Sequence, residues 1–257
     1  MDPAAVRSAF DEQVRQRPDP GGAAGRVEHA DGTVRVCGGG WAGVTWSDLD
    51  AAGADAAIAA QVDRFRGLGA WEWKHYSYDR PPDLPERLRA AGFAPEPPET
   101  LLVAEVADLD LQVVLPSGVT LEPVVDAGGI AALVRLHDEV FGGDHAPLGA
   151  ALAAQSAADP DSVAAVLAVA DGRPVAGGRV EMVRGSAFAG LWGGGTLPGW
   201  RRRGLFRALV AHRAALAAAA GFRYLQVDAS DDSRPILGRL GFVELATTTP
   251  FLYAGPS

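Results

Sequence analysis

Apolar positions recur at Leu205, Leu209 and Leu216, on one face of a helix, and this predicts a helix from Gly204 to Ala220 that closes at Gly221. A strand is expected over Phe222 to Ala229, a short helix around Pro235 to Leu240, and a last strand running from Gly241-Phe242 to about Tyr253. The first half follows a similar plan. Ala51 to Arg66 is helix-like and ends near Gly67 to Gly69. In Ala70 to Tyr78, Trp71, Trp73 and His75 alternate with Glu72, Lys74 and Tyr76, as in a strand. A helix, Asp83 to Ala91, then leads through Gly92-Phe93 into a strand, Thr100 to Val106.

Helix, strand, helix, Gly-Phe and strand thus occur twice, which suggests a decayed duplication. Asp108 to Gly118 reads as a link, with Leu115-Pro116-Ser117-Gly118 as a turn. Helices are expected near Gly129 to Phe141 and Pro147 to Ala158. Strands should follow at Val163 to Ala170, Val175 to Val183 and Ser186 to Thr196, joined as hairpins through Asp171-Gly172-Arg173-Pro174 and Arg184-Gly185-Ser186. The fold class is therefore α/β: a mixed, mostly antiparallel sheet flanked by helices, with residues 1–110 as one domain and 118–257 as the other.

Composition narrows the function. The formal charge of −9 disfavours a nucleic-acid partner, because the one dense basic cluster, Arg201-Arg202-Arg203, is too small for a polyanion surface. No apolar run approaches the ~20 residues needed to span a bilayer, and no secretory signal is visible at the start, so a cytoplasmic protein without a membrane partner is expected. Cys37 is the only cysteine, which excludes an internal disulfide and a cysteine-based metal cluster.

The chemistry concentrates where the strand Ser186 to Thr196 meets the next helix. Arg201-Arg202-Arg203-Gly204 forms a basic turn at a helix N-terminus, where unpaired amides and the helix dipole favour an anion. Arginine supplies charge-assisted hydrogen bonds to phosphate oxygens, and Gly204 lets the backbone approach them.

Arg201-Arg202-Arg203-Gly204-Leu205-Phe206 resembles the acyl-CoA pyrophosphate loop of the GNAT acetyltransferase superfamily, Arg/Gln-x-x-Gly-x-Gly/Ala. Asp228 to Phe242, ending in Leu240-Gly241-Phe242, resembles that family's second motif. The resemblance covers roughly Gly118 to Tyr253, with the first half similar to a degenerate copy that lacks the glycine loop. It implies acetyl-CoA as acyl donor, no metal, and an amine-bearing small molecule or peptide as acceptor. Gly194, Gly195 and Thr196 would offer backbone groups to pantetheine. Arg201, Arg202, Arg203, Gly204, Leu205, Phe206 and Arg207 would surround the pyrophosphate. Ser230 takes the place of a cofactor-contacting asparagine.

The sequence departs from the family at three positions. Phe206 replaces a small residue and is expected to turn back toward Leu209 and Val210. Leu237 stands where many relatives carry a tyrosine that protonates the leaving thiolate. Tyr253 and Tyr224 are the nearby candidates for that acid, with packing the commoner role of such residues. Gly190 stands where relatives carry a glutamate base, which leaves Asp228, ranked first, and Glu181 as carboxylates able to take the proton of an amine. His212 is expected to be a core histidine, and His145 to lie in a loop that lines the acceptor site. The implied activity is N-acetyl transfer by direct attack in a ternary complex. Leu237 and Gly190 also suit an idle acyl-CoA-binding sensor.

Overall fold

In the computed structural model the chain forms two compact units, and the structure describes residues 1–20, 25–38 and 41–255. The first comprises Met1–Leu102, Asp228–Arg234 and Glu244–Ser257; the second comprises Val103–Val227 and Pro235–Val243.

The chain opens with α1 (Pro3–Phe10), capped by Asp2, whose carboxylate accepts from the Ala4 amide at 3.0 Å. Three strands follow, β1 (Arg26–Ala30), β2 (Thr33–Gly38) and β3 (Trp41–Ser47), then α2 (Ala54–Arg64), β4 (Trp71–Tyr76), α3 (Leu84–Ala90), β5 (Ala94–Pro95) and β6 (Glu99–Glu105). Next come β7 (Val119–Pro123), α4 (Ala127–Phe141), α5 (Ala146–Ala158), β8 (Val163–Ala170), β9 (Arg173–Met182) and β10 (Phe188–Thr196). The chain ends with α6 (Leu205–Ala219), β11 (Tyr224–Ala229), α7 (Arg234–Arg239) and β12 (Val243–Tyr253). The observed elements match the expected ones to within a few residues; α1, the β1–β3 meander and β7 had no counterpart in the sequence reading. No helix among the described residues is long and apolar enough to cross a membrane.

In the first unit β1, β2 and β3 run antiparallel, β3 pairs parallel with β4, and β4 pairs antiparallel with β12. Its core gathers Ile58 and Phe65 of α2, Leu84 and Leu88 of α3, Trp71, Trp73, Phe93 and Phe251. The two tryptophans bury their rings as the alternation in β4 requires. Lys74, which follows Trp73 on the alternate face, is largely covered too, with only 15% of its side chain exposed.

In the second unit β7, β8, β9 and β10 form an antiparallel run, and β11 joins β10 in parallel. Leu133 and Leu136 of α4, Leu152 of α5, and Leu205 and Leu209 of α6 pack with Val166, Leu167 and Ala168 of β8. The sheet is thus mixed and mostly antiparallel, as expected. His212 departs from expectation: it is only half-buried, while Arg213 beside it is fully buried. Ala208, Leu209, Arg213, Ala214 and Ala217 form the inward stripe of α6, so the buried face is rotated by about one residue from the leucine stripe.

Candidate active site

Strand β10 carries one residue more than β9 can pair. Trp192 lies opposite Arg179 and Gly195 opposite Gly177, so three steps on β10 match two on β9, a bulge at Gly193 and Gly194. Gly193 adopts φ 58°, which glycine tolerates at little cost. A Cβ there would stand 2.6 Å from His137 Cε1, so glycine is also required by space.

Side chains close on the bulge from two helices. From α4, His137 Nε2 donates to the Gly193 carbonyl at 3.0 Å; a carbonyl only accepts, which fixes the tautomer. Burial, then His145 and Arg179, hold the His137 pKa down to about 4, so its ring is neutral at neutral pH. From α6, Arg213 donates to the carbonyls of Leu209 (3.0 Å), Arg179 (3.1 Å) and Trp192 (3.4 Å). Gly178 makes room for this guanidinium: a Cβ there would stand 2.7 Å from Nη1. Burial, then the nearby Arg179, lower the Arg213 pKa to about 10. Neither His137 nor Arg213 was expected at this site from the sequence. A buried arginine in an alanine-rich helix is a visible signal, but what it binds is two carbonyls distant in sequence.

Glu181 lies opposite Gly190 in the same pairing and accepts from Arg179 Nε at 2.7 Å. Above Gly190 the space is filled: a Cβ would meet Trp192 Nε1 at 2.6 Å and Gln226 Nε2 at 2.7 Å. His145, in the turn between α4 and α5, gives both its amide and its ring Nδ1–H to Asp138 Oδ1 at 2.9 Å. Its ring lies 5.5 Å from that of His137, beside the exposed ring of Phe141, which in turn covers Gly195.

Past β10 lies the turn expected from its sequence to hold an anion. Arg202 (φ 62°) and Gly204 (φ 84°) both have left-handed backbones, and Gly204 is the N-cap of α6 without a side-chain cap. Nothing lies within 4 Å of a Cβ built on Gly204, so the space beside the N-cap of α6 is open. Arg201, Arg202 and Arg203 are exposed; Arg201 Nε donates to the Thr196 carbonyl at 3.2 Å, and Arg203 lies 4.6 Å over the Trp200 ring. Arg207 pairs with Asp110 at 2.8 Å. Leu205 is buried in the core, and the Thr196 hydroxyl is buried without a partner. Phe206 leans on the bulge, its Cε2 being 3.2 Å from a Cβ built on Gly194.

Asp228, Ser230 and Tyr253 belong to the first unit. Asp228, with 6% of its side chain exposed, pairs with Lys74 Nζ at 3.1 Å and accepts from the Thr248 hydroxyl at 3.5 Å. Lys74 also reaches Glu99 at 3.3 Å. Burial works to lower the Lys74 pKa, and Asp228, Glu72 and Glu99 outweigh it. Ser230 is exposed, and its hydroxyl lies 3.3 Å from that of Ser233. Tyr253 packs against Phe93 (5.1 Å) and Trp71 (5.7 Å). Tyr224, in the second unit, is buried and stacked on Phe188 at 4.9 Å, and Leu237 is buried as well.

Residues 130–242 match the family model of the acetyltransferase (GNAT) family. No curated protein matches the chain. Among solved structures, a GCN5-related N-acetyltransferase from Kribbella flavida is 23% identical, with a TM-score of 0.70 over 98% of this chain and 96% of that one. A conserved protein of unknown function from Staphylococcus epidermidis is 13% identical, with a TM-score of 0.67 over 96% of this chain and 98% of that one. A tandem GNAT protein from the clavulanic acid biosynthesis pathway is 14% identical, with a TM-score of 0.59 over 92% of this chain and 85% of that one. At these identities the likeness is one of fold, and it extends over both halves of the chain. Residues 130–242 thus form a domain of the acetyltransferase (GNAT) family.

Proposed function

We propose that the protein transfers an acetyl group from acetyl-CoA to the amine of a small molecule or peptide by direct attack in a ternary complex. One observation carries this reading: a bulged, glycine-rich strand end leads within ten residues to an open, arginine-flanked helix N-terminus. The second feature suits a pyrophosphate, and the first offers strand amides to an acyl carbonyl. The residues fit acetyl-CoA on the space over Gly204, which a Cβ would begin to fill. Arg201, Arg202, Arg203 and Arg207, with the amides of Gly204, Leu205 and Phe206, would hold the phosphates. Gly194, Gly195 and Thr196 would hold the pantetheine arm, and Ser230 would add a hydroxyl. Acetyl-CoA supplies the activated acyl group.

Glu181 is our first choice for taking the amine proton. It lies cross-strand from the position where relatives carry their glutamate, and its side chain keeps 29% exposure to a solvent path. Asp228, engaged by Lys74, is the second choice. Tyr253, packed among aromatic rings, is the remaining candidate for protonating the thiolate, and water is the alternative. We place the reaction in the cytoplasm, and read residues 1–110 as a worn copy of 118–257.

The test is release of free CoA thiol from acetyl-CoA in the presence of polyamines, lysine peptides, peptide N-termini and aminoglycosides. Turnover with any amine supports the reading. Binding of acetyl-CoA without turnover on any of them would favour a sensor, the role that Leu237 and Gly190 suit.

A further inference from the structure

We propose that Arg213 and His137 are positioning residues that set the direction of the Gly193 and Gly194 amides in the β10 bulge. The inference deepens the acetyl-transfer reading and rests on it for its functional meaning. Its geometric basis is the planarity of the peptide unit: the carbonyl of one residue and the amide of the next lie in one plane and point in opposite directions. Arg213 Nη1 takes the Trp192 carbonyl, so it aims the Gly193 amide. His137 Nε2 takes the Gly193 carbonyl, so it aims the Gly194 amide away from the His137 ring. Two consecutive peptide planes are therefore fixed from two different helices, at the place where the ladder to β9 is interrupted.

The energetics favour such a role. A guanidinium that is 1% exposed is expensive to bury, and the acceptors that Arg213 finds are three backbone carbonyls rather than a carboxylate. An apolar side chain would fill the same volume on α6 more cheaply. What arginine adds is a single nitrogen, Nη1, that reaches β9 and β10 at once through the Arg179 and Trp192 carbonyls, while Nε holds the Leu209 carbonyl of α6. Glycine on β9, at Gly178, is needed for the guanidinium to fit. Amides aimed beforehand need no reorganisation when charge develops on an acyl oxygen.

The experiment compares wild type with Arg213→Met, which keeps volume and removes the donors, and Arg213→Gln, which keeps one donor. Hydrogen exchange is read at the amides of Gly193 and Gly194 in the ligand-free protein, and calorimetry then gives the affinities for CoA and for acetyl-CoA. The expected result is exchange at these two amides at least tenfold faster in Arg213→Met, with α6 amides unchanged. The ratio of acetyl-CoA to CoA affinity should fall by a similar factor while CoA affinity holds, and Arg213→Gln should lie between. Unchanged exchange at Gly193 and Gly194 overturns the proposal, as does a uniform rise in exchange across α6. Should Arg213→Met not fold, Arg213→Gln alone decides by the same two readouts. If wild type binds neither CoA nor acetyl-CoA, the acetyl-transfer reading falls, and the exchange data still decide whether Arg213 sets the bulge.

Discussion

Glu181 and Gly190 face each other across β9 and β10, so the carboxylate borne by one strand stands opposite a position where the other has no side chain. A glutamate at position 190 itself would collide with Trp192 and Gln226. The carboxylate is therefore available from the neighbouring strand alone on this part of the face. Glu181→Gln should lower kcat by roughly 10²–10⁴-fold, the usual worth of a general base, with acetyl-CoA affinity unchanged. An unchanged kcat would return the role to Asp228.

Asp228→Ala should act on stability first. It strips Lys74 of one carboxylate in a place where only 6% of the Asp228 side chain is exposed. Breaking a buried pair by removing one partner costs about 3–5 kcal/mol, and Glu99 offsets part of that for Lys74. Urea denaturation measures it; a loss below about 0.5 kcal/mol would show that the pair is not structurally coupled.

The strand and helix alternation was legible because its signals are local: Gly221 after α6, Gly-Phe before the last strand, and Trp71 and Trp73 in alternation. The basic turn before α6 was legible for the same reason, since Arg201 to Gly204 is contiguous. The β1–β3 meander escaped notice because its burial alternates weakly, with Arg35 and Thr33 turned inward beside Val34 and Val36. The Arg213–Trp192 and His137–Gly193 contacts escaped because they join residues 21 and 56 positions apart. His212 looked like the inward histidine on leucine periodicity, but the small alanines on the adjoining stripe bring that side of α6 closest to the sheet. Asp228, ranked first as a base for its place at a strand end, turned out to share a lysine with Glu99.

Glu72→Gln should stabilise the protein at neutral pH. Burial raises the Glu72 pKa above its usual 4.5, opposed by Lys74 and a hydrogen bond from Trp41 and reinforced by Asp228 and Glu99. The folded state thus holds a proton that the unfolded state releases, and stability falls as pH rises from about 4.5 through the folded pKa. Glutamine removes that loss, so the variant should gain on wild type as pH rises above about 4.5 and lose its advantage below that. Thermal melts across pH check this; parallel curves would contradict it.

His137 has the opposite sign. Its folded pKa of about 4 lies below the usual 6.5, so the unfolded chain takes up the proton first. The stability it contributes is full above about pH 6.5 and is lost as pH falls through 4. His137→Gln keeps a donor for the Gly193 carbonyl and removes the titration. The acid limb of stability should flatten by up to about 3 kcal/mol, read from urea midpoints between pH 7 and pH 4. An acid limb as steep as that of wild type would exclude His137 as its source.

The account depends most on the loop that begins α6. Gly204 has φ 84°, and nothing lies within 4 Å of a Cβ built on it. Calorimetric titration of acetyl-CoA into wild type and Gly204→Asp tests it directly. Micromolar binding by wild type and at least a hundredfold loss in the variant, with both proteins folded by circular dichroism, is the predicted result. No binding by folded wild type, or equal binding by Gly204→Asp, would contradict it.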